Sequence, residues 1–129
     1  SSLYETEPHG DAQNWYVNGV IEIETEFSPT QLLHRLQNIE LKMGRKRTPD
    51  TKKWASRTID LDLLLFDNQT VDSRTLKVPH PELHNRRFVL LPLSELAPQL
   101  THPRLGVPIV ELLASVKDDK KVLLLPPNG

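Results

Sequence analysis

Asp60 and Asp62 stand two residues apart in Ile59-Asp60-Leu61-Asp62-Leu63-Leu64-Leu65-Phe66, a run otherwise wholly apolar. Residues i and i+2 of a strand point to the same face, so the two carboxylates would stand side by side, about 7 Å apart, and repel each other. A cation between them removes that cost. Hard oxygen donors on a rigid strand suit Mg²⁺, which keeps several waters and takes its remaining ligands from substrate phosphates. Two such ions can clamp the attacking and leaving oxygens of a phosphoryl transfer. A bare D-x-D also fits two solvated aspartates; the apolar flanks favour the functional reading.

Three further groups of residues carry chemistry. Residues 42–57 hold seven Lys or Arg against a single acid, Asp50, with Trp54 among them. Such a block suits a compact polyanion such as a nucleotide, with Arg forks matching phosphate oxygens. A solvated loop, or a single-stranded nucleic acid stacked on the aromatic residue, fits the same block. The slightly acidic chain as a whole, net charge −1, speaks against nucleic acid. In Val78-Pro79-His80-Pro81-Glu82-Leu83-His84-Asn85-Arg86-Arg87-Phe88, the two histidines are four apart, but prolines flank His80 and no H-E-x-x-H pattern is present. His80 therefore reads better as a phosphate contact, with Arg86, than as a zinc ligand, and Phe88 as core. Tyr16 and Asn18 share a strand face; an Asn amide, with one acceptor oxygen and two N–H donors, can read the edge of a heterocycle or simply face water.

The elements that must position these groups follow from period and punctuation. Leu3 to Thr6 predicts a short strand and Pro8 to Asn14 a loop. Tyr16 to Thr25 alternates as a strand, with Val17, Gly19, Ile21 and Ile23 on one face and Tyr16, Asn18, Val20, Glu22 and Glu24 on the other. Ser28 to Met43 predicts a helix: Ser28 as N-cap, Pro29 at the first position, Gln31 completing a capping box and Gly44 as the stop. Its apolar stripe is Leu32, Leu33, Leu36, Ile39 and Met43, with Gln37 and Glu40 on a neighbouring face. Arg45 to Ser56 reads as a loop, Thr58 to Phe66 as a strand, Asp67 to Gln69 as a turn, and Thr70 to Val71 as a return strand. Pro79 to Arg87 predicts a loop with one helical turn, Phe88 to Leu93 an apolar segment bounded by Pro92, Pro108 to Val116 a short helix, and Val122 to Leu125 a final strand. The mixed order predicts an α+β sandwich with a largely antiparallel sheet.

The 129 residues suffice for one domain with a core, spanning 1–129. About a quarter are charged and 37% hydrophobic, an ordinary globular balance. No cysteine is present, which excludes disulfides and thiolate metal sites, and no apolar run approaches the roughly 20 residues of a membrane helix. The first 26 residues carry six acids and no Lys or Arg, so charge is strongly segregated along the chain.

The groups above, in this order, resemble the hydroxymethyl-dihydropterin pyrophosphokinase family. The matching stretches are Ser1-Ser2-Leu3-Tyr4-Glu5-Thr6-Glu7-Pro8, Tyr16-Val17-Asn18, Gln37-Asn38-Ile39-Glu40 with Gly44-Arg45-Lys46-Arg47, Trp54-Ala55-Ser56-Arg57-Thr58-Ile59-Asp60-Leu61-Asp62, and Val78-Pro79-His80-Pro81 through Asn85-Arg86-Arg87-Phe88. The resemblance runs to about Leu112. It implies a ferredoxin-like α+β sandwich and ATP-dependent pyrophosphoryl transfer to 6-hydroxymethyl-7,8-dihydropterin, in folate synthesis. By resemblance, Asp60 and Asp62 hold two Mg²⁺ ions. Arg45, Arg47 and Trp54 lie on a catalytic loop. Arg57, His80 and Arg86 contact the nucleotide and its phosphates, Gln37 and Glu40 line its side, and Lys77 adds a charge. Tyr16 and Phe88 sandwich the pterin, while Asn18 and the backbone near Thr6 and Pro8 meet its edge. The expected partners are these small molecules alone, with no nucleic acid or membrane, for a monomeric cytoplasmic enzyme. The family begins with a further strand and helix, on the order of thirty residues; the expectation is that this chain is a fragment whose core is opened by their loss.

Overall fold

The computed structural model describes residues 1–8, 14–44 and 59–126. The expected basic loop, and with it Arg45, Lys46, Arg47, Lys52, Lys53, Trp54 and Arg57, lies outside the described residues. The chain divides into two compact units, one of residues 1–24 with 81–129 and one of residues 25–80.

The first unit is built on three antiparallel strands in the order β2-β1-β5: β1 (Tyr4–Thr6), β2 (Tyr16–Asn18) and β5 (Val122–Leu124). Tyr4 pairs with Asn18 and Leu124, and Thr6 with Tyr16 and Val122. Directly opposed residues share a face, so Tyr4, Thr6, Tyr16 and Asn18 lie together on one side. Tyr4 and Thr6 are buried there. Helix α2 (Arg87–Leu96) is fastened to β1 and β2 through the bonds described below, and α3 (Ile109–Ser115) packs against α2. A 3₁₀ turn, Leu83–Asn85, leads toward α2. Leu83, Leu90, Pro92 and Ile109 are fully buried, and Val89, Leu93 and Leu112 nearly so.

Two expectations change here. The strand expected over 16–25 keeps its ladder only to Asn18, and its apolar face is exposed: Val17 57%, Ile21 80% and Ile23 52%. The register is the reason, because it turns Asn18, not Val17, to the side of Tyr4 and Thr6. Past Asn18, a Cβ on Gly19 would lie only 3.3 Å from the Ser2 carbonyl oxygen and 3.1 Å from Leu3 Cδ2. The Ser1 hydroxyl then takes the Val20 N–H at 2.9 Å in place of a ladder carbonyl. Second, Pro92 does not bound an apolar segment; it sits inside α2.

The second unit holds α1 (Pro29–Lys42) and a hairpin of β3 (Val71–Asp72) and β4 (Lys77–Val78). The capping box is formed as the sequence predicts: Gln31 N–H donates to Ser28 Oγ at 3.2 Å, and Ser28 N–H to Gln31 Oε1 at 2.9 Å. Gly44 ends the helix with φ 104°, a conformation that only glycine adopts without strain. Of the apolar stripe, Leu32 is buried, while Ile39 and Met43 are 45% and 50% exposed. By helical spacing those two fall within about 20° of Leu32, so the stripe is continuous but covered only over the first turns. The buried residue near the C-terminal end is Glu40. Residues 59–66, expected as a strand, carry no ladder among the described residues; His80 N–H bonds the Leu64 carbonyl at 2.8 Å. Asp67, at φ 51°, turns the chain after Phe66, with Gln69 N–H bonding the Phe66 carbonyl. No described helix is long and apolar enough to cross a membrane. The described elements together are an α+β fold of helices and small antiparallel sheets.

Candidate active site

In the first unit, the shared face of β1 and β2 presents Thr6 and Asn18 to the start of α2. Thr6 Oγ1 lies 2.7 Å from Asn18 Oδ1, and Asn18 Nδ2 donates to the Phe88 carbonyl at 2.6 Å. A carbonyl oxygen only accepts, so Nδ2 must be the atom facing Phe88; Oδ1 is then held toward the Thr6 hydroxyl, which donates. One Oδ1 lone pair and one N–H remain, the acceptor–donor pair that a heterocycle edge requires. The Arg86 guanidinium lies 5.7 Å from the centroid of the Phe88 ring, within reach of its π-face. A cation thus flanks the aromatic ring beside the polar amide. Tyr16 is 58% exposed, and Pro8 is buried.

Two residues that sequence reasoning missed hold this arrangement. Glu95, near the C-terminal end of α2, accepts from the Tyr4 hydroxyl, from Ser2 N–H at 2.7 Å and from Ser2 Oγ at 2.8 Å. The hydrogen bond to Glu95, then burial, pushes the Tyr4 phenol up to about 12, while the donors from Tyr4 and Ser2 lower the Glu95 carboxyl. At the other end of the helix, Asp118 Oδ2 accepts from Arg87 N–H and its carbonyl accepts from Arg87 Nε, both at 3.1 Å. A side chain 31 residues away therefore caps the helix that carries Phe88. Neither partner is sequence-local, so no spacing rule reveals them.

His84, next to the expected phosphate contacts, lies edge-to-face with His102, ring centroids 6.0 Å apart. His102 is buried, and its Nδ1 accepts from Arg104 N–H at 3.2 Å and Leu105 N–H at 3.1 Å, which puts the proton of the neutral ring on Nε2. Burial, then the proximity of His84 and Arg104, lowers the His102 pKa.

In the second unit, Asp60 and Asp62 are exposed while Ile59, Leu61 and Leu63 are partly buried. That alternation sets both carboxylates outward from an apolar segment even though no ladder is formed. The bond from His80 N–H to Leu64 fastens the V-P-H-P stretch, whose Val78–Pro79 peptide is cis, to the same segment. His80 thus follows the two aspartates into one region of this unit. Among the described residues no cluster of three or more His, Asp or Glu could hold a metal. A pair of outward carboxylates fits Mg²⁺, an ion that leaves most of its coordination to water and phosphate, and does not fit a closed structural metal cage. Lys77 forms a 2.6 Å ion pair with Asp72 across the hairpin. Gln37 is exposed on α1, whereas Glu40 is buried.

The fold and these side chains define an α+β protein with an outward carboxylate pair in one unit and a locked amide beside an aromatic ring in the other. The family described as 7,8-dihydro-6-hydroxymethylpterin-pyrophosphokinase (HPPK) matches residues 1–98, and the chain belongs to this family. It is similar to proteins named 2-amino-4-hydroxy-6-hydroxymethyldihydropteridine pyrophosphokinase from three bacteria. With that of Haemophilus influenzae it is 43% identical over 127 residues, 98% of this chain and 77% of the relative. With that of Pseudomonas aeruginosa it is 47% identical over 116 residues, 89% of this chain and 69% of the relative. With that of Synechocystis it is 40% identical over 116 residues, 90% of this chain and 58% of the relative.

Proposed function

We propose that this chain carries the pyrophosphokinase reaction of its family: ATP gives its β,γ-pyrophosphoryl group to the hydroxymethyl oxygen of 6-hydroxymethyl-7,8-dihydropterin, leaving AMP, in folate biosynthesis. The observation that carries this reading is the family match over residues 1–98, which includes both the carboxylate pair and the locked Asn18 amide.

The chain's own groups divide the work. Asp60 and Asp62 would hold two Mg²⁺ ions, which neutralise phosphate charge when bound. Asn18 offers its free N–H and lone pair to the pterin edge, beside the backbone near Thr6 and Pro8. Phe88 and Tyr16 supply ring faces. Arg86 and His80 take phosphate oxygens, with Arg57 and Lys77; Arg45, Arg47 and Trp54 close over the nucleotide, and Gln37 and Glu40 line its side. Pyrophosphoryl transfer is chiefly a positioning and charge-neutralising task, so no covalent enzyme intermediate is needed. Residues 1–129 act as one monomeric, cytoplasmic domain with small-molecule partners and no nucleic acid. Sedimentation at 14.8 kDa supports the monomer, and a dimer mass refutes it.

The test is AMP release from ATP and Mg²⁺ with and without the pterin, for this chain and for one extended by the family's N-terminal strand and helix. Pterin-dependent AMP in either chain, reduced at least ~100-fold in Asp62→Asn with folding retained, supports the reading. Wild-type turnover in Asp62→Asn refutes the carboxylate assignment, and silence from both folded chains refutes the activity.

A further inference from the structure

Pro92 occupies the sixth position of a ten-residue helix and is fully buried. A proline in a helix interior costs about 3 kcal/mol, because it removes the N–H that would bond the carbonyl four residues back and its ring crowds that carbonyl. The carbonyl four residues before Pro92 is that of Phe88. It is the same carbonyl that receives Asn18 Nδ2 at 2.6 Å.

We infer that Pro92 is a positioning residue: by withholding the helical N–H from the Phe88 carbonyl, it leaves that carbonyl to Asn18 and fixes the orientation of the Asn18 amide. The consequence for pterin recognition rests on the reading that Asn18 meets the pterin edge. A primary amide can turn end for end, exchanging donor for acceptor. The Thr6 hydroxyl cannot prevent this alone, since it both donates and accepts. The Phe88 carbonyl can, because it accepts only. A flipped amide would present an acceptor where the substrate needs a donor. Specificity for one heterocycle edge is therefore secured by a helix defect 74 residues along the chain from the amide it orients.

The experiment compares three forms of the chain: wild type, Pro92→Ala, and Pro92→lactic acid, in which an ester replaces the amide so that the Ala-sized side chain comes without an N–H. Two readouts are taken: the side-chain NH₂ signals of Asn18 by ¹⁵N NMR, assigned with Asn18→Ser, and calorimetric Kd values for the pterin and for ATP. In wild type one Asn18 proton should be shifted downfield and slow to exchange. In Pro92→Ala the two protons should converge, a newly protected amide should appear at position 92, and the pterin Kd should rise on the order of five- to tenfold with the ATP Kd unchanged. The ester form should match wild type. Unchanged Asn18 signals in Pro92→Ala would show the carbonyl serving both donors and would overturn the inference. So would equal losses in the alanine and ester forms, which assign the effect to the missing ring. Failure of the wild-type chain to bind pterin refutes the functional reading instead, and the Asn18 signals then still decide whether Pro92 holds the amide.

Discussion

Replacing Asp118 by alanine isolates the cap on which the Phe88 helix depends. Helix α2 has ten residues, and its N-cap position is Arg86, whose side chain makes no capping bond. A helix of this length is marginal by itself, since isolated helices need roughly 12–15 residues, and its first N–H groups have no partner within the helix. Asp118 supplies one from outside, accepting Arg87 N–H through Oδ2 while Oδ1 holds Lys120 N–H at 3.0 Å. Loss of an N-cap carboxylate costs about 1 kcal/mol, within a range of ~0.5–2. With a urea m-value of about 1–2 kcal/mol/M, Asp118→Ala should lower the unfolding midpoint by about 0.5–1 M. Asp118→Asn keeps an acceptor oxygen and loses the charge that favours a helix N-terminus, a contribution of about 0.3–1 kcal/mol, so its midpoint should fall between the other two. The bond from Arg87 Nε to the Asp118 carbonyl survives both substitutions, which confines the comparison to the carboxylate. Amide exchange at Val89 and Leu90, both bonded to the Arg86 carbonyl, should accelerate in the alanine variant. A midpoint within about 0.1 M of wild type, with unchanged exchange at these amides, would refute the capping role.

Phe88→Ala should weaken pterin binding more than ATP binding, since ring stacking is local to the ring and worth about 0.5–1.5 kcal/mol beyond area burial; equal losses for both ligands in calorimetry would make Phe88 a core residue instead. His102 should make the fold acid-sensitive. Its folded pKa lies below the ordinary imidazole value of 6.5, so the unfolded chain binds more protons and stability falls as pH drops below about 6.5, levelling off below the folded pKa. Among the described residues, the charged and titratable groups acting on it are His84 and Arg104. Urea midpoints from pH 7.5 to 5 should show the decline, reduced in His102→Asn, and an identical slope in that variant refutes the assignment.

How far the site could be read from the sequence depended on the range of the interactions. The α1 boundaries were legible because Ser28, Pro29, Gln31 and Gly44 act on backbone within four residues of themselves, and the structure forms each contact. The alternation at Ile59–Leu63 was legible for the same reason: exposure of Asp60 and Asp62 against their apolar neighbours needs only an extended chain. The strand ladder there, by contrast, requires a partner, and hydrophobic alternation does not say which strand that is. Tyr16–Thr25 shows the cost of that ignorance. Its alternation separates two faces, but which of them turns inward is set by the register with β1, which places the polar Asn18 inward and Val17 outward. Glu95 and Asp118 were invisible because their partners are Tyr4 and Ser2, about ninety residues away, and Arg87, 31 residues away.

Pro92 is the instructive case, because its signal was present and pointed the wrong way. A proline after a short apolar run reads as a boundary, and propensity alone supports that reading. The helix runs through it because Val89, Leu90 and Leu93 are buried on either side, and burial on that scale outweighs a single missing hydrogen bond. Once the helix is granted, the proline leaves the Phe88 carbonyl without its usual donor at a known place in the sequence. Polar groups that are buried seek partners, so the question of which side chain answers that carbonyl could have been asked before any fold was seen. An asparagine on a strand facing the helix is the answer found here, at 2.6 Å. A local conflict between propensity and fold is therefore itself a pointer: in this chain it leads from a helix-interior proline to the Asn18 amide.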